Sequence, residues 1–309
     1  MKSIRAPRLY SGDRIGVVAP ASNIKKELLE PGIKLLQQMG YEAVYDAGIF
    51  DQELYFAGSL ERRLAELNAM IERTDIKAVL CARGGYGSNY LLEKIDFKKF
   101  ARHPKIFMGY SDITSLLTAI TDRTGLITFH GPMVTKDFAI LEGVDFASWH
   151  NCLGGIGAWN VSTEDAEVLK PGRAQGRLYG GCLSMLAASL DTPFAIETAD
   201  TILFIEDVST KPYQIDRMLM QLRLAGKLDR VKGFVFGEMQ LCTQPDGQNY
   251  TLPQVIMRVL EKYDVPVIYG VKSGHVSGRN ITLPIGAQAT LVAEGGQASL
   301  RVMEAATVP

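Results

Sequence analysis

Several features that would assign a function at once are missing from this sequence. Its 309 residues hold four cysteines, Cys81, Cys152, Cys182 and Cys242. These stand far apart, with no CxxC pair and no histidine at ligand spacing, which argues against both a disulfide framework and a zinc site. The spacing predicts reduced packing residues, and nothing in the chain asks for a metal or a cofactor. Neither sign of charge dominates: the formal net charge is −1. With no long basic run either, nucleic acid and an anionic membrane surface are poor partners, and a small polar ligand or a protein suits the chain better. No apolar run reaches the length of a membrane span, and Asp13 and Arg14 interrupt the stretch that a signal peptide would keep apolar. The chain therefore reads as soluble and cytoplasmic. Repeats and low-complexity tracts are also lacking, and the sequence leaves oligomeric state open, a homodimer included.

What is present is an alternation. RIGVVAP, YEAVYD, IKAVLCA and IFMGY are strand-like. Between and after them KELLEPGIKLLQQMG, LERRLAELNAMIER, NYLLEKI and ITSLLTAITDR have helical spacing. This βαβα pattern predicts an α/β domain over residues 1–150, a parallel sheet covered by helices on both faces. Ligands in such folds gather at the carboxyl ends of the strands. Residues 151–175, with several glycines and a proline, read as a linker. Beyond it GRLYGG, TILFIED, VKGFVFGEM, PVIYGVKSG, ITLPIG, AQATLVAE and ASLRVM predict a strand-rich second domain over 176–309, with three clear helices in LSMLAASL, QIDRMLMQLRLAG and LPQVIMRVLEKYD.

Three strand ends carry candidate chemistry. In KIFMGYSDIT, Ser111 follows a strand and precedes a helix. Either it or Asp112 would serve as an ordinary N-cap, yet the same position would display a nucleophile beside free helix amides. A serine nucleophile needs a base. Of the four histidines, His103 sits in a basic connector and reads as exposed. His150 reads as part-buried surface, and His130, in ITFHGPM, as a plausible site lining. His275, in the Gly/Ser-rich KSGHVSGRN, lies where neither packing nor propensity asks for imidazole, and is the best base. TILFIEDV ends abruptly in Glu206 and Asp207, one of which would orient that base. In RGGYGS, Gly84 and Gly85 would let backbone amides approach a ligand, although the loop lacks the phosphate-binding spellings and also suits a plain tight turn. Ser22 and Lys25 fit S-x-x-K, and Lys272–Gly274 approximate K-T-G. Both are common enough to arise by chance, and the alternating first half suits the penicillin-binding fold poorly.

Taken together, RGGYGS, GYSD, TFHGPM, LYGG, FIEDV followed by KPYQIDRMLMQL, and SGH followed by LPIGAQATL resemble the serine LD-carboxypeptidases, or muramoyltetrapeptide carboxypeptidases. The match runs in order over nearly the whole chain. The resemblance implies a flavodoxin-like N-terminal domain akin to that of class I glutamine amidotransferases, and a smaller β/β/α C-terminal domain. It also implies Ser111 as nucleophile, Glu206 as orienting acid and His275 as base, acting between the domains on the terminal D-alanine of a murein tetrapeptide in peptidoglycan recycling. Asp112, Gly84 and Gly85 would supply oxyanion amides, and Arg83, with Arg279 as a weaker candidate, a cation for the substrate carboxylate. The family usually reads GGNL where this chain has Gly180 to Leu183 with Cys182 in third place, which puts one local hydrogen bond in doubt. Two rivals stand beside this reading. One is a microcin C immunity-type hydrolase of aminoacyl-nucleotides, for which Trp149, Trp159 or Tyr213 would offer an aromatic platform. The other is a non-catalytic peptide-binding protein in which Ser111 is only a cap.

Overall fold

Two sheets organise the chain in the computed structural model, which describes residues 3–245 and 247–309. The first has six strands, in the order Leu283–Ile285, Thr128–His130, Ile106–Gly109, Ile76–Cys81, Arg14–Val18, Glu42–Val44. All its neighbours run parallel except the outermost pair, where Leu283–Ile285 lies antiparallel to Thr128–His130. Consecutive strand residues point to opposite faces, and the packing follows. Leu80 and Met108 join Leu29, Leu36 and Trp149 on one side. Val79 and Phe107 join Leu67, Ile71, Leu116 and Ile120 on the other. Helices Lys26–Gln38, Leu60–Glu72 and Thr114–Thr124 are thus held by apolar stripes at helical spacing.

The second sheet has eight strands, in the order Trp159–Val161, Gln297–Val302, Gln288–Glu294, Gly172–Cys182, Thr201–Glu206, Gly233–Gly237, Val267–Val271, Glu167–Lys170. Its centre is parallel and its flanks antiparallel. Helices Pro212–Leu224 and Leu252–Leu260 cover one face through Leu203, Ile205, Phe234 and Phe236. The opposite face, with Ile202, Phe204, Val235 and Ile268, shares one core with the first sheet.

Three expectations need correction. NYLLEKI is not an α-helix: a 3-10 turn, Ser88–Leu91, opens it and the helix comes later, at Phe97–Arg102. The turn starts from Gly87 in the left-handed region, a geometry the apolar spacing does not disclose. The stretch 151–175, read as a linker, carries strands Trp159–Val161 and Glu167–Lys170 and the start of Gly172–Cys182. The first two are outermost strands of three and four residues, too short for alternation to show among glycines. ITLPIG, assigned to the second domain, instead gives an edge strand to the first sheet.

Candidate active site

The carboxyl ends of four strands meet between the sheets. Ile106–Gly109 runs out at Gly109, where a Cβ would lie 2.9 Å from Ile113 Cγ2, so only glycine lets the chain fold back tightly here. Tyr110 is extended and fully buried, and Ser111 then adopts φ 62°, a left-handed conformation that costs an L-residue about 1–2 kcal/mol. Neither this turn nor helix Thr114–Thr124 has a side-chain cap. Neither Ser111 nor Asp112 thus serves as the side-chain cap that the sequence offered, and the helix start is left to backbone alone. The Asp112 Oδ2 accepts from the Ser88 amide at 2.8 Å, while the Ser88 hydroxyl donates to the Asp112 carbonyl at 2.7 Å. Asp112 therefore staples the serine turn to the glycine loop, at the cost of burial that pushes its carboxyl up.

That loop lies directly on the serine. A Cβ on Gly84 would stand 2.9 Å from Ser111 Cβ and 3.2 Å from Oγ. Gly85, at φ 95°, packs on Ser22, whose Oγ accepts from the Tyr86 amide at 3.0 Å. Sequence reasoning missed Arg63, a buried guanidinium that donates to the carbonyls of Pro20 at 2.9 Å and Gly87 at 2.8 Å. It pins both loops from below. Its one signal in the sequence is that a charge stands at helical spacing from Leu60, Leu67 and Met70, on the buried side of an amphipathic helix.

Glu206 closes strand Thr201–Glu206 and is fully buried. Its Oε2 accepts from both the backbone amide of His275 at 3.0 Å and the ring Nδ1 at 2.7 Å. That pairing fixes the proton on Nδ1 and leaves Nε2 with its lone pair free. Burial works to raise the Glu206 carboxyl, but its two histidine neighbours, His130 and His275, outweigh it and hold the group down to about 2. The His275 turn is pinned by Asn280, which accepts from the Gly274 amide at 2.9 Å and donates to the Gly274 carbonyl at 3.1 Å. Glycine is required at 274: φ is 93° and a Cβ would fall 2.6 Å from Glu206 Cδ. The Tyr110 ring stands edge-on to the His275 ring, centroids 5.1 Å apart, so the residue before the serine packs against the imidazole. Asn280 was also missed, because a loop asparagine looks like any other turn residue.

Asp207, the other candidate at this strand end, faces elsewhere. It accepts from the amide and hydroxyl of Ser184 at 2.9 and 2.7 Å and from the Thr210 hydroxyl at 2.8 Å. Cys182 keeps only a long 3.9 Å sulfur contact to Asp207, and its amide donates to Thr114 Oγ1 at 3.0 Å. Ser184 and Thr210 thus satisfy the carboxylate beside which Cys182 stands. Arg83 is exposed at the loop rim, donating to the Asn23 carbonyl at 3.1 Å, and Arg279 is exposed and paired with Glu142 at 3.0 Å. His103 is exposed as expected. His150, expected to be part-buried, is exposed as well. Trp149 and Trp159 are core residues and offer no platform. Among the described residues there is no metal-binding cluster of histidine, cysteine and carboxylates, and no helix long and apolar enough to cross a membrane.

Similarity to known proteins agrees with this fold. Residues 15–131 match the LD-carboxypeptidase N-terminal domain and residues 175–291 the LD-carboxypeptidase C-terminal domain. A probable murein peptide carboxypeptidase of Bacillus subtilis is 39% identical over 287 residues, covering 92% of this chain and 90% of its own. The crystal structure of muramoyltetrapeptide carboxypeptidase from Oxalobacter formigenes superposes with a TM-score of 0.85 at 28% identity, covering 94% of this chain and 99% of its own. A microcin C7 self immunity protein shares the fold, with a TM-score of 0.90 at 24% identity and coverage of 98% and 99%. On this fold, these matches and their extent, the chain belongs to the LD-carboxypeptidase family, peptidase S66.

Proposed function

We propose that the protein is a serine LD-carboxypeptidase that removes the terminal D-alanine from murein tetrapeptides during cytoplasmic peptidoglycan recycling. The observation that carries this reading is the uncapped Ser111, held at φ 62° against Gly84, with the preceding Tyr110 ring packed on the His275 of a His275–Glu206 pair of 2.7 Å. Ser111 Oγ attacks the carbonyl carbon that precedes the D-alanine, and His275 Nε2 takes its proton. The amides of Asp112 and of Gly84 or Gly85 receive the oxyanion. The carbon–nitrogen bond then breaks, His275 returns the proton to the leaving amine, and water adds to the acyl-serine to release tripeptide. Glu206 holds the imidazole in the required tautomer and balances its charge when protonated. Arg83 at the rim is the cation proposed for the free carboxylate. A cavity of about 730 Å³ opens one helical turn beyond Ser111, lined by Ser115 and Thr118 from one half and Met185 and Phe194 from the other, and offers room for the rest of the peptide.

The burial of Trp149 and Trp159 removes two of the three side chains on which an immunity-type nucleotide hydrolase would have leaned. Intact-protein mass spectrometry with murein tetrapeptide, alongside a serine-directed phosphonate, tests the proposal. Release of D-alanine and a single adduct on Ser111 are expected. Binding without either product would identify a peptide-binding protein instead.

A further inference from the structure

His130 is fully buried beneath the site and has no place in the three-residue scheme above. It ends strand Thr128–His130, in register with Gly109 of the nucleophile strand on one side and Leu283 on the other. Its Nδ1 lies 3.0 Å from Ser273 Oγ, and its Nε2 lies 3.7 Å from Glu206 Oε1, the oxygen that His275 leaves free. Both Nε2 and Oε1 are buried without a hydrogen-bond partner. Around the ring stand Phe204 at 5.0 Å and Tyr110 at 5.9 Å between centroids. The Tyr110 hydroxyl faces Asp137 at 3.5 Å, and the Lys136 ammonium lies over the Tyr110 ring. Among the described residues Glu206 is thus the one carboxylate within ion-pair distance of His130, and His275 approaches the same carboxylate from its other oxygen.

Counting protons decides the state of the ring. Ser273 Oγ is also 2.8 Å from the Ile281 carbonyl, which can only accept. The single hydroxyl proton of Ser273 must lie on that line, or two oxygen lone pairs would face each other at hydrogen-bond distance. Ser273 then accepts from His130, so Nδ1 carries a proton. A neutral ring protonated on Nδ1 would turn the Nε2 lone pair onto the buried Glu206 carboxylate at 3.7 Å, a repulsion that no described side chain relieves. Only a ring protonated on both nitrogens satisfies all three contacts.

We infer that His130 is a buried imidazolium and a positioning residue for the proposed reaction, sharing the Glu206 carboxylate with His275 in a His–Glu–His arrangement. This rests on the serine-hydrolase reading for its catalytic consequence but not for its protonation state. Held from both oxygens, Glu206 cannot rotate away from His275. The imidazolium also sets a fixed positive charge on the far side of the carboxylate from the base. Before attack the buried group is neutral overall. It becomes a cation only when His275 accepts the serine proton, opposite the forming oxyanion.

Two measurements test this on the full chain. In 15N-histidine NMR of the full chain at neutral pH, with His103→Gln and His150→Gln removing the two exposed rings from the spectrum, His130 should show two protonated nitrogens. A neutral ring with one bare nitrogen would overturn the inference, whatever the enzyme does. The kinetic arm is the pH dependence of kcat/KM for release of D-alanine by His130→Gln, which keeps a donor toward Glu206 and loses the charge. The acid limb should move toward alkaline pH by about one unit. A fall in amplitude with the limb unmoved would reduce His130 to packing. Absence of any wild-type turnover would instead count against the hydrolase reading, leaving the NMR result to decide the ring's state. If His130→Gln does not fold, Ser273→Ala removes the acceptor of the Nδ1 proton, and the same spectrum should show a ring with one bare nitrogen. A ring that keeps both protons in that variant would refute the hydrogen-bond argument.

Discussion

Gly84→Ala perturbs the setting of Ser111 without touching any group that titrates. The added methyl would stand 2.9 Å from Ser111 Cβ, 3.2 Å from its Oγ and 3.2 Å from the Tyr110 carbonyl. Carbon–carbon contact becomes comfortable near ~3.5 Å, so the loop and the serine turn must part by roughly half an ångström. Gly84 lies outside the left-handed region, so alanine meets no backbone strain of its own. The overpacking should cost about 1–2 kcal/mol of stability, less than unfolds a domain of this size. Catalysis is more sensitive. The nucleophile and one proposed oxyanion amide would both be displaced, and such misplacement costs on the order of 10²-fold in kcat. The assay is steady-state release of D-alanine with thermal melting on the same samples, and Gly278→Ala as a control, since a Cβ there meets nothing within 4 Å. A kcat within about threefold of wild type would refute the claim that this loop sets the nucleophile.

Ser111→Gly and Ser111→Ala should both lower turnover by several orders of magnitude. Only the glycine variant should gain stability, by about 0.5–1 kcal/mol, because it alone relieves the φ of 62°; equal melting temperatures would deny the strain. Glu206, held down to about 2 from its ordinary 4.5, contributes stability that is complete above the ordinary value and is lost as pH falls through the folded one. The wild type should therefore lose on the order of 3 kcal/mol more than Glu206→Gln between those pH values in chemical denaturation, and parallel curves would contradict the assignment. L-Ala-D-Glu-meso-diaminopimelate-D-Ala should be cleaved while its C-terminal amide and its L-alanine analogue are not. Equal cleavage of acid and amide would remove the carboxylate clamp proposed for Arg83. Dialysis against a strong chelator should leave turnover intact, whereas a loss restored specifically by zinc would displace the serine mechanism.

Much of the site was legible because its residues stand where local rules fail. Ser111, Glu206 or Asp207, and His275 each follow an apolar run with a polar group, although Ser111 also suited an N-cap and only the family resemblance chose Glu206 over Asp207; the structure pairs Glu206 with His275 and sets the Tyr110 ring, next to Ser111, on that imidazole. What the sequence could not disclose is how separate segments meet. Helix capping illustrates the difference: Asp112 looks like a local cap, yet its partner is Ser88, a contact 24 residues away in the chain. Arg63 acts through backbone carbonyls of two other loops and Asn280 through the backbone of its own turn, which no residue pattern specifies. His130 carried a weak signal as a polar strand end, but its neighbours, Ser273 and Glu206, come from the other half of the chain.

The placement of Leu283–Ile285 has a further consequence. The chain leaves Val267–Val271 in one sheet, forms the turn that holds His275, and enters the other sheet as its edge strand. The proposed base is thus mounted on a bridge anchored at both banks, and sliding of one sheet past the other would drag the turn with it. Ala6–Pro7, paired with Thr307–Val308, ties the two chain ends together in the same way. Expressed alone, residues 1–150 would therefore not be a self-sufficient unit: Thr128–His130 would lose its outer neighbour and present unpaired backbone along an apolar edge, an invitation to self-association.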